Sequence, residues 1–153
     1  MTVIFNGLEG IRAQLGKPIG PGEWVEVDQA RINEFASCSG DHQWIHVDVE
    51  KAKTGPYGTT IAHGLLTLSM IGALNAGLFK FEGFKMGVNY GYSKIRFPTP
   101  VPVGSALRVV AKVLSCEAIN GGVVETVIEF NVEREGSDKP ACVAEMIFRH
   151  YPL

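Results

Sequence analysis

The chain has 153 residues, which is enough for one domain with a buried hydrophobic core. Charged residues make up 20% of it and the net charge is -2, so no broad basic surface for nucleic acid or an anionic membrane is indicated. The three cysteines are widely spaced and form no CxxC pair, so they suggest neither a disulfide framework nor a thiolate zinc site. Reduced thiols, and an N-terminus without the pattern of a signal peptide, predict a cytoplasmic protein. We expect a single domain over residues 1–153.

The first third of the chain predicts two helices and a short strand. Residues 6–16 carry apolar side chains at helical spacing, and Asn6 can cap them. Residues 24–27 are typical of a strand. Asp28 is a favourable cap for a second helix, which Gly40 should end.

A long apolar segment follows at residues 61–79, IAHGLLTLSMIGALNAGLF. It contains no lysine, arginine or acidic residue, and its length falls within the roughly 17–25 residues of a membrane span. It also holds a histidine, an asparagine and three glycines, and no second segment of this kind exists. A helix that is apolar on nearly every side is equally expected at the centre of a soluble fold. We therefore predict a long buried central helix and no membrane partner.

The chain after Gly83 is typical of strands. Four stretches are rich in β-branched residues and alternate between apolar and polar side chains: MGVNYGYSKIRF, SALRVVAKVLSCEAI, GVVETVIEFNVE and ACVAEMIFRH. Asn120-Gly121, between the second and third, is a preferred dipeptide of a tight hairpin. The predicted fold is α+β, with an antiparallel meander wrapped around the central helix.

Titratable side chains concentrate in SGDHQWIHVD, residues 39–48. In a regular helix Asp41 and His46 would lie roughly 140° apart, and in a strand they would point to opposite faces. They can converge only if the backbone turns between them, which Gly40 makes possible. Converged, they would form an acid–base pair around a water molecule.

Two other interpretations of this stretch remain open. His42 and His46, four residues apart, could bind a divalent metal together with an aspartate, although no HExxH motif is present. Alternatively, Asp41 only turns the chain and the histidines are ordinary surface residues.

Three segments resemble one known family, the MaoC-like dehydratases and (R)-specific enoyl-CoA hydratases. FASCSGDHQWIHVD, residues 35–48, resembles the family signature, with Gly40, Asp41, Ile45 and His46 at the matching positions. IAHGLL, at residues 61–66, is similar to the family's entry into its central helix. NYGYSKIRFPTPVPVGSALRV, at residues 89–109, is similar to one of its strands. The form of the motif is similar to the single-domain branch that includes nodulation protein N relatives.

The resemblance implies a hot-dog fold, in which an antiparallel sheet wraps around a long central helix, and a site for acyl thioesters. In that site Asp41 and His46 would be catalytic, and the Gly64 N–H would bind the thioester carbonyl. Substrate contacts would also come from Gln43, His63, Tyr90 and Gly91. The sequence departs from the family pattern at Gln43, where asparagine is usual, and at Trp44, where proline is usual. Loss of the proline leaves the loop geometry less constrained.

The implied activity is reversible hydration of 2-enoyl thioesters to (R)-3-hydroxyacyl thioesters. The resemblance implies no cofactor and no metal, with a coenzyme A or acyl carrier protein thioester as the substrate. It also implies a homodimer, because two hot-dog sheets joined edge to edge cover edges that would otherwise stay open. A hot-dog acyl-thioester hydrolase is the alternative enzyme. An idle acyl-thioester-binding or scaffold domain is the alternative without catalysis, given the residues at positions 43 and 44.

Overall fold

The computed structural model describes residues 1–153, which form eight strands, six α-helices and one 3-10 turn. In chain order the elements are β1 (Val3–Asn6), α1 (Gly7–Arg12), β2 (Pro18–Ile19), β3 (Val25–Val27), α2 (Gln29–Ser39), α3 (Trp44–Val47), α4 (Val49–Ala52), α5 (Gly64–Ser69), α6 (Ile71–Leu74), β4 (Phe79–Glu82), β5 (Met86–Arg96), β6 (Ser105–Ala118), the 3-10 turn (Asn120–Gly122), β7 (Val124–Arg134) and β8 (Cys142–Tyr151).

The main sheet has six antiparallel strands in the order β2-β6-β7-β8-β5, and β3 also pairs with β6. Alternate residues of its central strands face the core, as the sequence pattern predicts for half-buried strands. On β6 and β7 the fully buried apolar side chains are Leu107, Val109, Ala111, Val113, Ile128, Phe130 and Val132. Helices α5 and α6 pack against this inner face through β8 and β6. The arrangement is the predicted antiparallel sheet wrapped around a central helical segment.

The prediction of a four-stranded meander was wrong for its first strand. Strand β5 pairs with β8 instead of β6, so it lies at the edge of the sheet. The connection from β5 to β6 spans residues 97–104 and contains Pro98, Pro100 and Pro102. Proline has no N–H to donate to a strand ladder, so this connection cannot close a tight hairpin. The chain instead passes the positions of β8 and β7 before it enters the sheet again as β6.

The predicted long central helix is shorter than expected and is divided in two. Helices α5 and α6 meet at Met70, which keeps helical backbone angles, and α6 ends before Asn75. Gly77 then adopts a φ of 78°, a left-handed conformation that ends helices, and Phe79 begins strand β4. The apolar segment is therefore shared between a helical stretch and a strand. None of the helices has the length and hydrophobicity that a membrane span requires.

Strand β4 pairs in parallel with β1, which the sequence did not predict as a strand. The Phe5 ring, fully buried, lies 5.0 Å from the ring centroids of Phe79 and Phe81. The helix predicted over residues 6–16 forms only as α1, and the Asn6 side chain makes no capping hydrogen bond. The pairing with β4 draws the chain before position 7 into a strand, and an isolated bridge between Leu15 and Val113 lies where the predicted helix would have continued.

Other predicted boundaries are confirmed. The Asp28 carboxylate accepts a hydrogen bond from the Arg31 N–H at 2.9 Å, so it caps α2. Gly40 ends α2 with a φ of 79°. The hairpin predicted at Asn120-Gly121 joins β6 to β7, but the prediction of a tight turn was wrong, because a 3-10 turn over Asn120–Gly122 makes the loop longer than two residues.

Candidate active site

The backbone turns between Asp41 and His46, as their convergence requires. Asp41 follows the left-handed Gly40 at the end of α2, and its carboxylate accepts a weak hydrogen bond from the Gln43 N–H at 3.3 Å. Helix α3 begins at Trp44 and carries His46 in its single turn. This Asx-type turn replaces a continuous helix and allows the two side chains to meet.

The His46 side chain is only 6% exposed, and its ring is fixed by one hydrogen bond. The Nδ1 atom lies 2.7 Å from the carbonyl oxygen of Ile61. A carbonyl oxygen can only accept, so the hydrogen is on Nδ1 and the neutral ring has its free lone pair on Nε2. His46 therefore presents a proton acceptor at Nε2.

Helix α3 is tied to the segment before α5 by further hydrogen bonds. The Ile61 N–H donates to the carbonyl of Ile45 at 3.0 Å. The Gln29 side chain donates from Nε2 to the carbonyl of His46 at 2.8 Å and accepts at Oε1 from the buried Thr60 hydroxyl at 2.5 Å. Sequence reasoning missed Gln29, because its position after a helix cap gives no sign of a contact 17 residues away.

His63 completes the group, and its side chain is 3% exposed. Its Nε2–H donates to the backbone carbonyl of Asp41 at 3.0 Å, and its ring stacks on that of His46 with centroids 3.8 Å apart. On another side the Phe35 ring lies at a centroid distance of 4.9 Å. One side-chain ligand atom each from Asp41, His46 and His63 lies within 4.8 Å of the others. The site thus brings together three titratable side chains.

The pKa of His46 is lowered below its ordinary value, chiefly because burial disfavours the charged ring. The hydrogen bond to Ile61 raises the pKa, the neighbouring His63 lowers it further, and the charge of Asp41 raises it. Since the net direction is downward from 6.5, His46 is mainly neutral at pH 7. A neutral ring is the form that can accept a proton.

A metal bound by His42 and His46 does not fit this geometry. His42 is exposed and lies outside the three-residue group. The His46 and His63 ring planes are inclined by only 24°, and one nitrogen of each ring already binds a carbonyl. Ring-nitrogen lone pairs lie in the ring plane, so two stacked rings cannot both direct one at an ion about 2.0–2.1 Å away. The arrangement is better suited to proton transfer.

Gly64 is the first residue of α5, and its N–H makes no hydrogen bond within the protein. It lines a pocket of about 270 Å³ together with Thr67, whose buried hydroxyl also has no partner. A Cβ at position 64 would lie 3.0 Å from the Phe97 ring. The early N–H groups of a helix lack intrahelical acceptors, so the Gly64 N–H is available to a ligand.

The remaining predicted contacts lie outside this group. Gln43 is exposed, and its side chain makes no hydrogen bond. Tyr90 is 59% exposed, with the Arg149 guanidinium 3.4 Å from the centroid of its ring. Tyr90 and Gly91 line no cavity, and the same is true of Asp41, His46 and His63, whereas Tyr92 does line one. The register shift between Asn89 and Gly91 changes which residues of β5 face inward, and sequence alternation gives no sign of it.

Comparison with known proteins places the chain in a family. The family model described as MaoC like domain matches residues 11–133. 3-Hydroxyacyl-thioester dehydratase Z of Mycobacterium tuberculosis is 45% identical over 95% of this chain and 97% of that protein. Nodulation protein N of Rhizobium leguminosarum is 39% identical over 92% of this chain and 88% of that protein.

The fold is also found in solved structures. That of an (R)-hydratase from Pseudomonas aeruginosa superposes with a TM-score of 0.68 at 24% identity, covering 91% of this chain and 83% of the other. The hot-dog fold implied by the sequence is thereby confirmed. With the family model matching most of the chain and two curated relatives matching nearly its full length, the protein belongs to the MaoC-like dehydratase family.

Proposed function

We propose that the protein catalyses the reversible hydration of 2-enoyl thioesters to (R)-3-hydroxyacyl thioesters. The observation that carries this proposal is that the Asp41 carboxylate lies close to the ring of a buried, neutral His46, whose Nε2 is the nitrogen left free by the Ile61 hydrogen bond. Opposed proton-transfer groups of this kind are what the addition of water to a double bond requires. The name of the 45% identical relative, 3-hydroxyacyl-thioester dehydratase Z, supports the same reaction class.

The proposed mechanism assigns one task to each group. Asp41 and His46 hold a water molecule between them, and one of the two takes its proton as the oxygen bonds to the β-carbon. The electrons of the double bond move toward the thioester carbonyl, whose developing negative charge accepts a hydrogen bond from the Gly64 N–H. The α-carbon then receives a proton from the pair, and dehydration follows the same path in reverse.

The free N–H of Gly64 supports its assignment as the carbonyl donor. Glycine also presents no side chain of its own between that N–H and a ligand. His63, which the sequence resemblance implies as a substrate contact, binds the backbone of Asp41 through one of its two ring nitrogens. We propose no bound cofactor for this chemistry, because general acid–base groups and an amide donor supply each required step. The thioester would be carried by coenzyme A or by acyl carrier protein.

We further propose that residues 1–153 form one domain that assembles as a homodimer. Strand β5 lies at an edge of the main sheet, so one of its sides has no neighbouring strand. Open edges invite pairing with another chain. Met86 and Tyr90, on this strand, are 50% and 59% exposed, which would be explained by their burial against a second copy.

An assay with crotonyl-CoA separates the three candidate functions. A hydratase removes the absorbance of the enoyl thioester without releasing thiol. A hydrolase releases free thiol, and a binding or scaffold domain does neither. We expect the first result. In a separate assay that starts from (R)-3-hydroxybutyryl-CoA, we expect the enoyl absorbance to appear. Release of thiol at a comparable rate would contradict the proposal.

A further inference from the structure

His63 connects the three parts of the proposed catalytic site without being needed for any step of the reaction. Its Nε2–H donates to the backbone carbonyl of Asp41, and its own carbonyl accepts the Thr67 N–H at 3.2 Å, inside the first turn of α5. It also directly precedes Gly64. The same residue therefore contacts the acid loop and begins the helix that carries the free N–H.

The contact with Asp41 is important because few other bonds hold that residue. Asp41 is exposed and follows a left-handed glycine, and its N–H makes only a long hydrogen bond, 3.3 Å, to the Ser39 hydroxyl. The bond from His63 is thus the shorter of the two that fix its backbone. Without it, the carboxylate would be held only by its local turn.

The contact with His46 is a stack of the two rings, inclined by 24°. One hydrogen bond to Ile61 restrains the imidazole at Nδ1, but rotation about that bond is limited only by neighbouring surfaces. The His63 ring supplies such a surface at a centroid distance of 3.8 Å, and Phe35 packs on His63 in turn. Side chains locked by packing and by hydrogen bonds from surrounding groups are what hold catalytic atoms in productive geometry.

We propose that His63 is a positioning residue, which anchors the Asp41 backbone through Nε2–H and fixes the plane of the His46 ring through stacking. The inference rests on the proposed function, since it concerns the geometry of the same pair. His63 carries no proton to or from the substrate. Its contribution is the distance and direction between the Asp41 carboxylate and His46 Nε2.

Two substitutions separate the roles of the hydrogen bond and the ring. His63→Phe keeps an aromatic face for stacking and removes the donor to Asp41. His63→Gln keeps a donor at a similar distance along the side chain and removes the aromatic face. Because misplacement by about 1 Å can cost a factor on the order of 100, we expect His63→Phe to lower kcat by about that factor with little change in KM. His63→Gln should lower it less.

The pH profile provides a measurement that a purely structural role would not change. Asp41 and His63 are the titratable groups whose charges act on His46, and the His63 charge disfavours its protonation. Both variants should therefore move the acid limb of the kcat/KM profile to higher pH. His42→Gln, a matched histidine substitution at an exposed position outside the site, should leave the profile and the rate unchanged.

The experiment consists of steady-state hydration of crotonyl-CoA by the wild type and the three variants across pH, with circular dichroism to confirm folding. A fall in kcat together with a raised acid limb supports the positioning role. A wild-type kcat in His63→Phe overturns the positioning role. A lower kcat without a shift in the acid limb of the kcat/KM profile overturns it as well. If His63→Phe does not fold, kcat and the acid limb of His63→Gln decide the question by the same criteria. An inactive wild type would instead indicate that the proposed function is wrong.

Discussion

The imidazole of His46 stacks on the imidazole of His63, with ring centroids 3.8 Å apart and planes inclined by 24°. Both rings are buried, and each donates one N–H to a backbone carbonyl, of Ile61 and of Asp41 respectively. A second positive charge in such a stack would be repelled, and burial already disfavours the first. The pair is therefore suited to keeping His46 neutral under ordinary conditions.

This stack predicts the pH dependence of activity. The folded-state pKa of His46 is lowered below 6.5, so the neutral and active form persists as pH falls through 6.5 and is lost only at a lower pH. We expect the acid limb of kcat/KM for crotonyl-CoA hydration to lie below pH 6.5. A profile measured from about pH 4.5 to 8 tests this, and an acid limb centred above 6.5 would contradict it.

A second histidine, far from the site, predicts how stability depends on pH. His150 is 1% exposed among aromatic rings, including Phe81 at 4.0 Å and Phe84 at 5.0 Å, and burial lowers its pKa to about 4. In the unfolded chain this histidine has its ordinary pKa of 6.5. Between pH 6.5 and pH 4 the unfolded chain therefore binds more protons than the folded state. Stability is therefore lost as pH falls from 6.5 toward 4, by on the order of 3 kcal/mol for this group.

Urea unfolding at pH 7 and at pH 4.5, for the wild type and His150→Leu, measures this contribution. The variant removes the titrating group while leaving a side chain of similar size, so its free energy of unfolding should decrease less between the two pH values. Equal decreases in both proteins would show that His150 does not carry the effect.

The absence of a side chain at Gly64 predicts a difference between two glycine substitutions. In Gly64→Ala the new methyl group would lie 3.0 Å from the Phe97 ring, inside the pocket where we place the thioester carbonyl. We expect kcat/KM to fall on the order of tenfold to a hundredfold, because the carbonyl is displaced from its donor. Gly72→Ala is the matched control, since a Cβ there has no atom within 4 Å.

The control should keep wild-type activity and gain about 0.5–1 kcal/mol in the free energy of unfolding, since alanine is the better residue within a helix. Crotonyl-CoA kinetics and thermal unfolding of both variants give the comparison. Full activity in Gly64→Ala would remove the basis for assigning the carbonyl to that N–H.

The open edge of β5 predicts the oligomeric state. Obligate homodimer interfaces commonly bury on the order of 2,000 Å² or more, so the dimer should persist at low micromolar concentration. One chain has a mass of 16.6 kDa, and sedimentation equilibrium should give twice that mass. A fully active species with the mass of one chain would refute the dimer and leave the acid–base chemistry unaffected.

Local signals in the sequence predicted the features that depend on a few neighbouring residues. The caps at Asp28 and Gly40 are confirmed, as are the four long strands, because each needs only a local side chain or an alternating pattern. The position of β5 beside β8 and the pairing of β1 with β4 were missed. Each depends on contacts between segments far apart in the chain, which periodicity does not encode.

The site shows the same division. Spacing and Gly40 allowed Asp41 and His46 to meet as one of three interpretations, and the family resemblance favoured it. The Gln29 contact and the stacking of His63 were not predicted. These contacts join α2, α3 and the start of α5, and the three elements come together only in the folded chain. Motif reasoning therefore found the groups assigned to proton transfer, named His63 in another role and missed Gln29.

The most direct test of the acid–base pair is the turnover of Asp41→Asn with crotonyl-CoA, measured beside Asp138→Asn, a matched change at an exposed loop position. The amide keeps the size of the side chain and removes its ability to exchange a proton. We predict that kcat of Asp41→Asn falls by a factor on the order of 100 or more while the control keeps the wild-type rate. A wild-type rate in Asp41→Asn would contradict the proposal that this carboxylate takes part in the hydration.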